Sequence, residues 1–245
     1  MSKTNLTVII PVHSVADTET KTFDELFDTA LSSISSNSIK PEKVLIVRCN
    51  CMDVDAKLST MDLSKYDLDI EIITNPGDTD YQSQINFGAK NVQTEYMSIL
   101  EFDDEVSPTW YKNVDEHIKA YGDIEMFLPI INDVTENGDF VGLSNEAVWA
   151  YNFTDTLGQL DLDTLLEYPN ISPCGMVIKT QIYNEINGLK QLKLTFNYEF
   201  LLRFLKNGYR IMVIPKIGYK HVNMRISSLF WLYKNSEAVE YKIEP

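Results

Sequence analysis

Four carboxylates fall within five residues at Glu101-Phe102-Asp103-Asp104-Glu105, immediately after the apolar run Met97-Ser98-Ile99-Leu100. Carboxylates packed this closely repel one another unless a cation or solvent relieves them. Mg2+ and Mn2+ favour carboxylate and phosphate oxygens and bind through as few as one or two protein carboxylates. The run is therefore a candidate metal centre suited to a diphosphate, with a merely solvated acidic surface as the plain alternative. His221 could complete such a shell through a neutral imidazole, although a lone histidine also serves structure. Glu199 stands at the start of an apolar stretch of helical spacing, where the positive helix end keeps a carboxylate ionised and ready as a base. The competing reading is a carboxylate that only stabilises the helix dipole. Trp149 and Tyr151 are candidates to stack on an acceptor sugar, or equally to be buried.

The elements that must position these groups alternate. Leu6-Thr7-Val8-Ile9-Ile10 reads as a buried strand stopped by Pro11, and Phe23, Leu26, Phe27, Ala30, Leu31 and Ile34 recur at helical spacing. Val44–Val47, Ile70–Ile73 and Met97–Leu100 are further strands, with a helix over Gln82–Val92 between the last two. This alternation predicts an α/β fold with a mostly parallel central sheet flanked by helices. Ligands in such sheets bind beyond the carboxyl ends of the strands, where Pro11, Arg48-Cys49-Asn50 and the acidic run all fall. Downstream, the pattern predicts a helix from Trp110 to Tyr121, a strand Met126–Ile131, a tight turn at Glu136-Asn137-Gly138-Asp139 and a strand Gly175–Ile178. A helix from Glu199 closed by Gly208 and a strand Arg210–Ile214 complete it. Residues Glu146 to Asn170 show no clear period, and a mobile acceptor-side loop is the expectation there.

The chain of 245 residues carries a formal net charge of −15, with 44% hydrophobic and 23% charged residues and no linker-like stretch. That balance predicts one globular domain over 1–245. The acidity disfavours a nucleic-acid partner, because such affinity comes largely from Lys and Arg neutralising phosphates. The less acidic last third keeps a local basic patch open. The three cysteines, Cys49, Cys51 and Cys174, lack both an even count and a zinc spacing, so reduced thiols are expected. No basic leader precedes the first apolar stretch, and no apolar run reaches the roughly 20 residues that span a bilayer, so the expectation is cytoplasmic. Ser228–Tyr233 is expected to bury against the sheet.

Taken in order, these pieces resemble the inverting glycosyltransferases of family 2, which share the GT-A fold. Thr7-Val8-Ile9-Ile10-Pro11-Val12-His13-Ser14 resembles that family's opening strand and nucleotide-contacting loop, with His13 in the place of an aromatic on the base. Ile85-Asn86-Phe87-Gly88 and then Glu95 through Asp104 resemble its helix-strand-DxD segment, with Glu101 as the first DxD carboxylate and Asp103 as the second. Tyr198-Glu199-Phe200-Leu201-Leu202-Arg203 through Gly208-Tyr209 resembles the segment carrying the base, and His221 matches a late metal-binding histidine. The resemblance covers residues 6 to 222 and rests on the order of several short motifs.

It implies a nucleotide-sugar donor, a UDP-sugar foremost, held in the half up to residue 110 by Pro11, Val12, His13, Arg48, Asn86, Glu101, Phe102 and Asp103. It further implies Mn2+ or Mg2+ on Asp103, Asp104 and His221, and an acceptor half over 111–245. Two departures stand out. Arg48-Cys49-Asn50 replaces the aspartate that hydrogen-bonds uracil. Phe196-Asn197 replaces the usual Glu-Asp pair, and Asn197 cannot accept a proton, which leaves Glu199 as the substitute base. The alternatives are transfer to hydroxymethylated bases in DNA, a non-catalytic nucleotide-sugar-binding or scaffold module, and a nucleotidyltransferase. The last needs a glycine- and base-rich phosphate loop that Val12–Asp17 lacks.

Overall fold

The structure, a computed structural model, describes residues 3–15, 17–18, 20–150 and 157–223. Its first half alternates through β1 (Lys3–Val12), α1 (Phe23–Ser35), β2 (Lys40–Cys49), α2 (Met52–Ser59), β3 (Ile70–Asn75), α3 (Tyr81–Asn91) and β4 (Tyr96–Ile99). β1 pairs in parallel with β2 on one side and β4 on the other, and β2 pairs in parallel with β3. Successive residues Val8, Ile9 and Ile10 are fully buried, as are Val44, Ile46 and Val47. Parallel strands covered on both faces need this continuous apolar run rather than alternation. α1 begins where Thr22 and Glu25 cap each other reciprocally, and it buries Phe23, Phe27, Leu31 and Ile34.

The second half continues through β5 (Glu105–Val106), α4 (Trp110–Ala120), β6 (Met126–Val134), β7 (Phe140–Ser144) and α5 (Ala147–Ala150). β8 (Gln159–Leu160), α6 (Leu162–Glu167), β9 (Val177–Lys179), α7 (Thr180–Glu185), α8 (Phe196–Lys206) and β10 (Ile211–Val222) follow. Among the described residues one sheet runs β3-β2-β1-β4-β9-β6-β10-β5, with β7 on β6 and β8 on β10. β9 lies antiparallel between β4 and β6, while β6 and β10 are parallel. The result is the expected mostly parallel sheet flanked by helices.

Several expectations need correction. β1 does not stop at Pro11: it continues to Val12 beside Val47 and Arg48 of β2. The Ile9 carbonyl accepts from Leu100 on the β4 side, and pairing with β4 ends there. Two residues on, the N–H that proline lacks would face that same vacated edge, so no ladder bond is lost. α8 starts three residues before Glu199, and β10 runs on to Val222, placing His221 within a strand. Residues 157–167 are built into β8 and α6, the latter capped by Asp161 on the Thr164 N–H, where a mobile loop was expected. Cys49 and Cys51 are joined in a disulfide across the β2–α2 turn, not reduced as expected. Ser228–Tyr233 lies outside the described residues. Among those described, no helix is long and apolar enough to cross a membrane.

Candidate active site at the carboxyl ends of β1 and β4

The acidic run leaves β4 as a tight turn, in which the Asp104 N–H bonds the Glu101 carbonyl at 3.1 Å. The chain then enters β5, whose antiparallel pairing sets Val106 beside Tyr219 and Glu105 beside Lys220 of β10. That pairing presses alternate residues of β10, Tyr219 and His221, against the acidic turn. Asp104 is completely buried. Its carboxylate accepts from the Tyr219 hydroxyl at 2.9 Å and the Val222 N–H at 3.0 Å, and it pairs with His221 Nδ1 at 2.8 Å. The Tyr219 hydroxyl in turn accepts from the Glu101 N–H at 3.3 Å. Burial lowers the His221 pKa, but the Asp104 charge and hydrogen bond, helped by Glu101 and Asp133, outweigh it and push it up to about 10. Glu105, expected only to be solvated, is half-buried and paired with Lys220 at 2.6 Å.

Glu101, Asp103 and Asp104 can each bring a carboxylate oxygen within 4.8 Å of the others. Their hard oxygen donors, with an imidazole beside them, fit a Mg2+ or Mn2+ ion. Asp103 faces a cleft of about 210 Å³ whose walls include Lys21, Glu105 and Lys220 and the β6–β7 turn at Thr135–Gly138.

On the donor side, the His13 ring meets Tyr81 edge-on at 5.7 Å. Burial pulls the His13 pKa below its ordinary value against the opposing charge of Asp80, which keeps the ring neutral near pH 7. Tyr81 opens α3 behind the cap Asp80, which accepts from the Ser83 N–H at 2.9 Å. Its hydroxyl donates to Glu101 at 3.4 Å, so one aromatic side chain joins the end of β1 to the acidic turn. Arg48 is drawn to Asp55 at 2.8 Å.

Other expected donor contacts have different employment. Pro11 and Val12 are buried within the sheet, and Phe102 is buried against Phe23 at 4.9 Å between ring centres. Asn86 spends its amide on the backbone of Leu189 and the hydroxyl of Tyr183. These bonds tie α3 to the segment after α7.

Tyr81, Glu101, Cys174, Leu189, Asn197 and Tyr219 line a cavity of about 10 Å³, room for a single water. Asn197 thus shares a cavity wall with Glu101, whereas Glu199 is held elsewhere. Glu199 forms two bonds of 2.8 Å to Arg203 and one of 2.8 Å to Lys190. Partial burial pushes its carboxyl up, but these cations outweigh that and leave it below the ordinary value. A carboxylate so neutralised is a weak proton acceptor, which argues against the base role expected of it. Trp149 donates its indole N–H to the Val213 carbonyl at 2.8 Å and packs flush on Gly158. Among the described residues it lines neither cavity, and its indole is engaged by β10 and Gly158. Tyr151 lies outside the described residues.

Sequence reasoning overlooked Tyr219, Tyr81 and Cys174. Tyr219 had a usable signal, since it lies two residues before His221 and so shares its face of a strand. Tyr81 and Cys174 had none, because only the fold brings α3 and the Pro173-Cys174-Gly175 turn to the same cavity.

The profile described as glycosyl transferase family 2 matches residues 7–186. No curated protein sequence matches the chain. Among solved structures, S. aureus TarS 1–349 in complex with UDP-GlcNAc is similar, with a TM-score of 0.67 and 16% identity over 91% of this chain and 59% of that one. The complex of the same protein with UDP gives a TM-score of 0.64 at 16% identity, covering 96% of this chain and 63% of that one. The chain therefore spans about three fifths of the length of the structures it resembles.

Proposed function

The chain belongs to glycosyl transferase family 2 and has a GT-A fold, and from that premise we propose that it moves a sugar from a nucleotide-sugar donor to an acceptor hydroxyl with inversion, assisted by Mn2+ or Mg2+. The observation that carries this reading is the acidic turn itself, fixed against β10 through Asp104 and tied by Tyr81 to His13 at the end of β1. Both strand ends face one side of the sheet, where ligands of open α/β folds bind. The UDP and UDP-GlcNAc complexes of the TarS structures support a uridine diphosphate donor.

In this reading the nucleobase lies against His13, whose ring is neutral and braced by Tyr81. Asp103, with Glu101 beside it, would hold the metal, and His221, charged near pH 7 with its pKa at about 10, would join the shell by giving up a proton. The bond from Asp104 to His221 Nδ1 leaves Nε2 as the outward donor, the arrangement by which carboxylates orient metal-binding histidines. Asp104 then acts by orienting His221 rather than as a ligand of equal weight. A bound divalent ion would offset the negative charge of a departing diphosphate. Burial and nearby carboxylates keep Tyr81, Cys174 and Tyr219 protonated, and those protons go to the acidic turn itself, from Tyr81 and Cys174 to Glu101 and from Tyr219 to Asp104. Asn197 offers a neutral amide at the wall of the cavity beside Glu101.

Donor hydrolysis or transfer assayed with and without Mn2+, in the wild type and in Asp103→Ala, tests the proposal. Activity that needs the ion and disappears in the variant supports it; full activity in excess chelator counts against the metal role. A second reading, a nucleotide-sugar-binding module without turnover, is favoured by the neutral Asn197 in the cavity. Tight donor binding with no turnover against any acceptor library selects that reading.

A further inference from the structure

The segment between α7 and α8 has no strand or helix over Gly188–Leu194, so its backbone polar groups need partners from elsewhere. Asn86 of α3 treats Leu189 as a strand neighbour would. Its Nδ2 donates to the Leu189 carbonyl at 2.7 Å, and its Oδ1 accepts from the Leu189 N–H at 2.9 Å. The Tyr183 hydroxyl donates to the same Oδ1 at 2.8 Å, which fixes the amide's orientation. One turn earlier on α3, Gln82 donates to the Leu192 carbonyl at 2.8 Å. From the other side Arg203 of α8 donates to the Gly188 carbonyl at 2.7 Å and to the Ile186 carbonyl, while Glu199 holds its guanidinium in place by two bonds of 2.8 Å.

Gly188 makes the approach possible. Its φ is +56°, and a Cβ there would lie 2.2 Å from Asn86 Oδ1. The gripped segment is not remote from the site, because Leu189 lines the Glu101 cavity, with Asn197 of α8 also on its wall. The gripping helix is not remote either: α3 opens with Tyr81, which touches His13 and bonds Glu101.

We infer that Asn86 and Arg203 are positioning residues for the transfer proposed above, holding the segment from Ile186 to Leu189 against α3 and α8 so that Leu189 walls the cavity beside Glu101. The inference rests on that functional reading. Neither side chain touches the reacting groups. Each sets where the acceptor-side wall stands relative to a donor held from α3, and misplacing such a wall by about 1 Å can cost on the order of 100-fold in rate.

The experiment compares wild type, Asn86→Ala, Arg203→Lys and Tyr183→Phe by steady-state kinetics in donor and by amide exchange at Leu189. Asn86→Ala should lower kcat by about tenfold or more while donor KM changes less than about threefold, with faster exchange at Leu189. Arg203→Lys keeps the charge but loses the fork, and should fall in kcat in the same way. Tyr183→Phe removes one bond to the Asn86 amide and should give a smaller loss of the same kind. A rise in donor KM at unchanged kcat would overturn the inference by making Asn86 a direct donor contact. Faster exchange with unchanged kinetics would overturn it too, leaving a tie that serves folding alone. A wild type with neither transfer nor donor hydrolysis defeats the functional reading itself, and it is read before any variant.

Discussion

At the scale of single residues, the acidic run divides into distinct jobs. Asp104 is sealed and bonded three ways, so removing it leaves a buried imidazole and hydroxyl without their partner. Asp104→Ala should cost about 3–5 kcal/mol of stability. Asp103→Ala, at the edge of the cleft, should cost less than about 1 kcal/mol and abolish the metal response. Thermal melts of the two variants with and without Mn2+ check the contrast.

Glu199 belongs with Asp104 as a group that ties other groups down. Its folded pKa is depressed, so its stabilising contribution is fully present above the unfolded value of 4.5 and is lost as pH falls through the folded one. Glu199→Gln should therefore lower stability by about 1 kcal/mol near pH 7, with the gap closing below pH 4.5 in acid-titrated melts. Sequence made Glu199 the base because a carboxylate at a helix start reads as poised and ionised. Arg203 one turn along was visible too, but the packing of Lys190 and of the Gly188 carbonyl around that pair was not.

At the scale of elements, strand and helix periodicity located β1 to β4, α1 and α3 to within a few residues. The β6–β7 turn was legible as Asn137-Gly138, where Gly138 adopts φ +86°. Periodicity failed where partners decide structure. β10 extends to His221 because β6 and β5 pair with it, and no local signal in Pro215-Lys216-Ile217-Gly218 announces that. The turn carrying Cys174 is another case. Ser172 is held by both polar ends of Asn145, and Gly175 at φ +70° would place a Cβ 2.4 Å from the Tyr219 ring. Gly175→Ala should destabilise by about 1–3 kcal/mol and displace Tyr219 from Asp104, seen as a lower melting temperature together with a weakened metal response.

At the scale of the whole molecule, the fold was readable because the alternation of buried strands and amphipathic helices constrains the sheet strongly, and family membership agrees with it. The site was readable only in part. The acidic run, His13, Asn197 and His221 were named from sequence, whereas Asn86, Phe102 and Trp149 prove to be engaged in packing and ties. Residue type suggests chemistry, but only the three-dimensional partners reveal whether a polar group is free to perform it.

The central claim is that a nucleotide-sugar donor and a divalent ion meet at the acidic turn. Thermal shift with UDP-GlcNAc and other nucleotide sugars, each with and without Mn2+, measures this directly in the wild type and in Asp103→Ala. At about 100 times Kd a donor should add roughly 2.7 kcal/mol, a rise on the order of 5 °C or more for a chain of this size. The account predicts such a rise for at least one nucleotide sugar, dependent on Mn2+ and lost in Asp103→Ala. A flat panel, or a shift that survives both chelator and the substitution, would contradict it.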